Sequence, residues 1–175
     1  MLLKRFKPFK PKEWYKDRLT WLNTTDIENV MEQYQTRFPN FKFLGVSPID
    51  YDYRFEDNEC VTDDICNLNI KELYDNGIRS LGAVFNLDTH DQGGSHWVSL
   101  YSDFNEREVY YFDSYGLRPP HDVRKLMKEI SRQSINIPNL KDKVEQDKKG
   151  VCLDECQPEN QELFSTYYND IRHQF

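Results

Sequence analysis

Ser95-His96-Trp97-Val98 and, seventeen residues after the histidine, Asp113-Ser114 decide how this chain reads. His96 opens an apolar run, Trp97 to Leu100, that alternates as a strand does. A polar turn follows, Asp103-Phe104-Asn105-Glu106-Arg107, and then Val109-Tyr110-Tyr111-Phe112 delivers Asp113. Two β-rich runs across a short polar loop predict a hairpin. With an even number of loop residues, His96 and Asp113 share a face and lie within about two residues of direct register, where opposed side chains sit roughly 5 Å apart. A hairpin can thus bring an imidazole to a carboxylate, the two parts of a base and its orienter. The same two residues also fit plain strand ends, so the pair alone assigns no chemistry.

Composition narrows the choices. A length of 175 residues is one domain's worth of chain and enough for a core. Hydrophobic residues make up only 38%, but 14% aromatics supply bulk. The net charge of −7 is uneven: residues 1–18 hold seven Lys/Arg (Lys4, Arg5, Lys7, Lys10, Lys12, Lys16, Arg18) against Glu13 and Asp17, so this basic arm carries +5 and the remainder −12. That balance argues against a whole-domain nucleic-acid binder; for the arm itself, a solvated segment is favoured over nucleic-acid contact. No run of eighteen apolar residues exists to span a membrane, and the basic N-terminus has no apolar core of a signal peptide. The expectation is a protein that is not secreted, with Cys60, Cys66, Cys152 and Cys156 as reduced thiols.

Along the chain, the arm with Pro8 and Pro11 is expected to be extended, packing Phe6, Phe9 and Trp14, before a domain over 19–175. Trp21-Leu22-Asn23 leads into a helix over 25–37: Thr25 and Glu28 have capping-box spacing, and Ile27, Val30, Met31 and Tyr34 recur on one face. Phe41 to Val46 reads as a short strand. Residues 50–66 carry seven carboxylates against Arg54 and read as a surface loop; a hard cation is the lesser reading, because the spacing fits no EF-hand. A short helix from Ile70 ends at Gly77, and 81–87 is apolar enough for a central strand. Asp91-Gln92-Gly93-Gly94 is a turn just before His96. Beyond Pro119-Pro120 a helix over 121–133 places Val123, Leu126, Met127 and Ile130 on one face. Residues 136–163 are charged and proline-containing and read as a loop or insertion. Cys152-x3-Cys156 lies there without two further soft ligands, so no metal or other cofactor is expected. Phe164 to Asn169 has strand character and runs into Arg172-His173-Gln174.

Four pieces in order, Trp21-Leu22-Asn23 before a helix, Ser95-His96-Trp97-Val98 opening a strand, Tyr111-Phe112-Asp113-Ser114 closing the next, and Arg172-His173-Gln174 after another, resemble the ubiquitin-like-protein (SUMO) protease superfamily of cysteine peptidases. The adenovirus maturation protease belongs to it. Phe85-Asn86-Leu87-Asp88, His90-Asp91-Gln92, Gly94-Ser95-His96-Trp97 and Phe112-Asp113-Ser114-Tyr115-Gly116 look closest to its large-DNA-virus branch, the polyprotein-processing proteases of African swine fever virus type. The resemblance covers roughly 20–135 and 164–175. It implies an α+β, papain-like (adenain-like) fold, a mixed and mostly antiparallel sheet flanked by helices.

It also implies a mechanism. A cysteine thiolate attacks the scissile carbonyl, His96 pairs with it and later protonates the leaving amine, and Asp113 holds the tautomer. Gln174 donates to the developing oxyanion. Trp21 and Trp97 flank a channel too narrow for a Cβ, which implies a protein substrate with a Gly-Gly-containing site. In the family the nucleophile stands about six residues after this glutamine, near position 180. The chain ends at Phe175, so it is expected to be inert and cut short before its nucleophile, with no cysteine at that place. Three readings follow: virion polyprotein processing in the infected cell's cytoplasm or the particle, favoured; removal of ubiquitin-like modifiers; and a non-catalytic module that binds a glycine-tailed ubiquitin-like protein.

Overall fold

The computed structural model describes residues 6–17 and 19–137. The chain divides into two compact units, one holding the described residues up to 38 and the other those from 39 onward.

The first unit is built on helix α1, Thr24–Arg37. Its capping box is Asn23 with Asp26, rather than the expected Thr25 with Glu28. The Asn23 side chain accepts from the Asp26 N–H at 2.9 Å, and the Asp26 carboxylate accepts from the Asn23 N–H at 3.1 Å. Asn23 has extended backbone (φ −99°, ψ 173°), whereas Thr25 already lies within the helix and has no cap to make. The arm is not extended throughout, because Lys12–Tyr15 form a 3₁₀ turn. Phe6 packs edge-on against Tyr34 and Phe38 at 5.2 and 5.9 Å. The Phe9 ring is 82% exposed; its backbone instead pairs with the Gln33 amide in both directions, at 2.7 and 3.2 Å.

The second unit is a four-stranded sheet with helices. Strands β1 (Phe41–Pro48), β2 (Ser80–Asn86), β3 (Trp97–Asp103) and β4 (Glu108–Phe112) lie in the order of the sequence. β1 pairs parallel to β2, while β2–β3 and β3–β4 are antiparallel. This is the mixed α+β architecture expected, with 97–103 and 108–112 as antiparallel neighbours. On β3, Val98, Leu100 and Ser102 alternate inward, and the strand becomes the buried axis of the sheet. Helix α4 (His121–Ile135) buries Val123, Leu126, Met127 and Ile130, an i, i+3, i+4, i+7 face that removes about 1.5–3 kcal/mol worth of apolar surface per side chain from water. It lies beside α3 (Ile70–Asp75) and β4.

Two expectations fail in this unit. Residues 50–66 are not a plain surface loop: Tyr51, Cys60 and Ile65 are buried, Arg54 and Cys60 form a β-bridge, and Asp63–Cys66 is a turn of helix, α2. The Tyr51 ring packs on Phe85, and its hydroxyl donates to the Asp122 carbonyl at 3.2 Å. The apolar residues among the carboxylates reach the core while the carboxylates face outward, where Asp64 and Asp52 pair with Lys42 and Lys125. Second, Cys60 and Cys66 are joined as a disulfide, not held as separate thiols. Cys152, Cys156, the stretch from 138 to 163 and the expected strand 164–169 lie outside the described residues. Among the described residues no helix is long and apolar enough to cross a membrane.

Candidate active site

His96 immediately precedes β3 and Asp113 immediately follows β4. Continuing the Ser99–Phe112 register by one step places Asp113 opposite Val98, two residues from His96 and on the same inward face. The four-residue turn 104–107 supplies the even count that this needs. His96 Nε2 lies 2.7 Å from Asp113 Oδ1, with the Asp113 side chain 1% and the His96 side chain 16% exposed.

Asp113 is held on both oxygens. Oδ1 also accepts from the Tyr115 N–H at 3.0 Å, and Oδ2 accepts from the Leu117 N–H at 3.2 Å. Burial alone would raise its carboxyl pKa; the bonds from the Tyr115 N–H, His96 and the Leu117 N–H outweigh it and hold the carboxyl below its ordinary range. An ionised carboxylate only accepts, so Nε2 must carry a proton and donate it. Nδ1 is therefore the nitrogen left for other chemistry. Burial, and then the charge of Asp113, push the neighbouring Tyr111 phenol up, so the site holds one buried negative charge.

The loop that delivers His96 is fastened from within. The Asn86 side-chain carbonyl accepts from the Asp88 N–H at 3.0 Å and the Ser95 N–H at 3.1 Å. Ser95 Oγ donates to Asp88 Oδ1 at 2.6 Å, and the Leu87 N–H donates to the His96 carbonyl at 3.0 Å. Gly94 takes φ +91°, and a Cβ there would come within 2.6 Å of Asn86 Nδ2, so only glycine lets the chain pass so close. Farther out, His90 Nδ1 lies 2.6 Å from Asp50 Oδ2, and the His90 N–H donates to Asp50 Oδ1 at 2.9 Å. Its ring stacks on Tyr53, with centroids 4.6 Å apart.

The structure thus brings two of the residues singled out in the sequence, His96 and Asp113, into direct contact. Trp97 is half-buried at the first position of β3, opposite Asn86. Trp21, in the other unit, is 77% exposed. Gln174 lies outside the described residues. Among the cysteines, Cys60 and Cys66, bonded to each other, present no thiolate. Sequence reasoning missed Asn86 and Tyr115 as parts of the site. The signal for Asn86 was its distance of nine residues before a Ser-His pair; for Tyr115 it was the turn sequence Asp-Ser-Tyr-Gly, which returns the third residue beside the first.

A half-buried imidazole, oriented by a buried carboxylate, thus stands at one end of the β-hairpin. No protein-family model matches the chain. It is 36% identical over 112 residues to a protein of Acanthamoeba polyphaga mimivirus named "Putative thiol protease R355", a match covering 64% of this chain and 35% of that one. The chain thus spans about a third of the length of that relative. The crystal structure of the African swine fever virus (ASFV) protease superposes with a TM-score of 0.50 at 22% identity, over 66% of this chain and 46% of the other, and shows the same fold. The mimivirus relative carries the thiol-protease name that the motifs imply, and the ASFV protease shares the fold.

Proposed function

We propose that the protein is a cysteine-type endopeptidase that cleaves at Gly-Gly-containing sites, in the processing of a viral polyprotein. The observation that carries this reading is the His96–Asp113 pair, in which an ionised, buried carboxylate binds Nε2–H and leaves Nδ1 as the proton acceptor. That is the arrangement a thiol nucleophile requires: Nδ1 takes the thiol proton, the imidazolium is stabilised by Asp113, and the same proton passes to the leaving amine. The thiolate attacks the scissile carbonyl carbon, the amine leaves, and water releases the acyl group from sulfur. The likeness to the mimivirus relative and the fold shared with the ASFV protease support the class. Gln174 as oxyanion donor, a nucleophile shortly beyond it, and Trp21 and Trp97 as channel walls rest on the resemblance.

The test is to express the full reading frame and assay a Gly-Gly-containing peptide with and without a thiol alkylator. Alkylator-sensitive cleavage, abolished by His96→Ala and reduced less by Asp113→Ala, is the expected result, because orienting a base matters less than having one. Binding of a glycine-tailed protein without any cleavage would replace this reading with that of a recognition module. Cleavage that persists in His96→Ala would remove His96 from the chemistry.

A further inference from the structure

We propose that Tyr115 is a positioning residue for this site: its ring fixes the imidazole of His96 in the single orientation that keeps Nε2 on Asp113. The inference rests on the reading of His96 as the base, and adds a residue that the histidine–carboxylate pair does not include. Four observations lead to it. The two rings are nearly parallel, 15° apart, with centroids separated by 4.3 Å, which is full stacking contact. The Tyr115 N–H donates at 3.0 Å to Asp113 Oδ1, the same oxygen that accepts from His96 at 2.7 Å. Tyr115 itself is 73% exposed, so its position is not explained by packing into the core. The histidine beneath it is nonetheless only 16% exposed.

The turn explains how one residue does both things. After β4 the chain closes 113–116 with the Gly116 N–H donating to the Asp113 carbonyl at 2.9 Å, and Gly116 takes φ +69°. Within such a turn an aspartate at the first position accepts with its side chain the N–H two residues on, which here is that of Tyr115. The backbone of Tyr115 therefore reaches the carboxylate while its side chain lies over whatever that carboxylate binds. An imidazole held by a single hydrogen bond can still rotate about its Cβ–Cγ bond. A ring laid flat on one face blocks that rotation, because turning the imidazole would drive its edge into the tyrosine. The stack also keeps water from that face of the Nε2–H···Oδ1 bond, which is stronger where water is excluded. The phenol hydroxyl has no part in this, so phenylalanine should serve as well as tyrosine.

The test separates this role from the peptidase reading. In the ¹⁵N-labelled 175-residue chain, at a pH where the ring is neutral, His96 should carry its proton on Nε2 and show carbon-bound ring protons displaced by the stacked aromatic. Tyr115→Ala should lose that displacement and give a mixture of Nε2–H and Nδ1–H tautomers; Tyr115→Phe should keep the wild-type spectrum. Tyr115→Leu, which retains bulk, guards against a collapsed turn, and its Asp113-bound amide at position 115 should remain protected from exchange. In the protein of the full reading frame, Tyr115→Ala should lower kcat about tenfold with KM within about twofold, and Tyr115→Phe should restore it. A wild-type tautomer and single ring orientation in Tyr115→Ala overturn the proposal, whatever the rates. A tautomer shift in a protein that cleaves nothing leaves the proposal standing and removes the peptidase reading instead.

Discussion

The side-chain carbonyl of Asn86, the last residue of β2, accepts the backbone N–H of Ser95 at 3.1 Å and so ties the end of one strand to the residue before His96. Its second bond, from the Asp88 N–H, closes the start of the same loop. One amide thus sets the path by which the imidazole enters the site. Asn86→Ala should cost about 1–3 kcal/mol, since two backbone donors lose their acceptor. Gly94→Ala should be at least as costly, because it combines a clash with Asn86 and a left-handed φ. Urea unfolding measures both, and a cost below about 0.5 kcal/mol for Asn86→Ala would mean that the loop holds itself.

Acid should act on the fold through Asp113. Its folded pKa is depressed, so the native state gives up the proton more readily than the unfolded chain. The stabilisation is fully present above the ordinary unfolded value of about 3.9 and is lost as pH falls through the lower, folded value. Asp113→Asn removes this dependence. Urea midpoints of wild type and variant should therefore differ most near neutrality and converge as pH falls toward about 2. A constant gap across that range would show that another carboxylate governs the acid limb.

His90 is the outer fastening of the same loop, through two contacts with Asp50. His90→Ala should destabilise the fold by about 1 kcal/mol and speed amide exchange over residues 89–95. The strands should exchange as before. Unchanged exchange in the loop would assign the restraint to Asn86 and to the His90 N–H bond to Asp50, which this substitution leaves in place.

Phe104 sits in the turn between β3 and β4 and yet is fully buried. Phe104→Ala should cost about 3–5 kcal/mol, whereas Asn105→Ala beside it should fall within about 0.5 kcal/mol of wild type. Similar small effects for both would mean that the hairpin register, and with it the approach of Asp113 to His96, does not depend on that anchor.

How much of this was legible in the chain depends on the range of each interaction. The hairpin was, because alternation in Trp97–Leu100 and Val109–Phe112 is a property of neighbours, and the turn between them has few conformations to choose from. The apolar face of α4 was legible for the same reason, through Val123, Leu126, Met127 and Ile130. The cap of α1 was misplaced by two residues, since Thr25 and Asn23 both have capping side chains and only the observed backbone conformation distinguishes them.

What the tertiary structure alone decided involves groups brought together from distant segments. Tyr51, Cys60 and Ile65 go inward from an acidic stretch, Tyr51 onto Phe85 and toward α4 and Ile65 from a helix that lies against β1, and a net charge count is blind to which few residues turn in. The meeting of His96 with Asp113 follows from strand register and was foreseeable. The flat contact of Tyr115 on His96, and the reach of Asn86 to Ser95, depend on side-chain directions set by two turns with left-handed glycines, Gly116 and Gly94. Spacing along a sequence fixes which residues can approach one another; the ångström-scale geometry that orients an imidazole comes from packing, which no local pattern encodes.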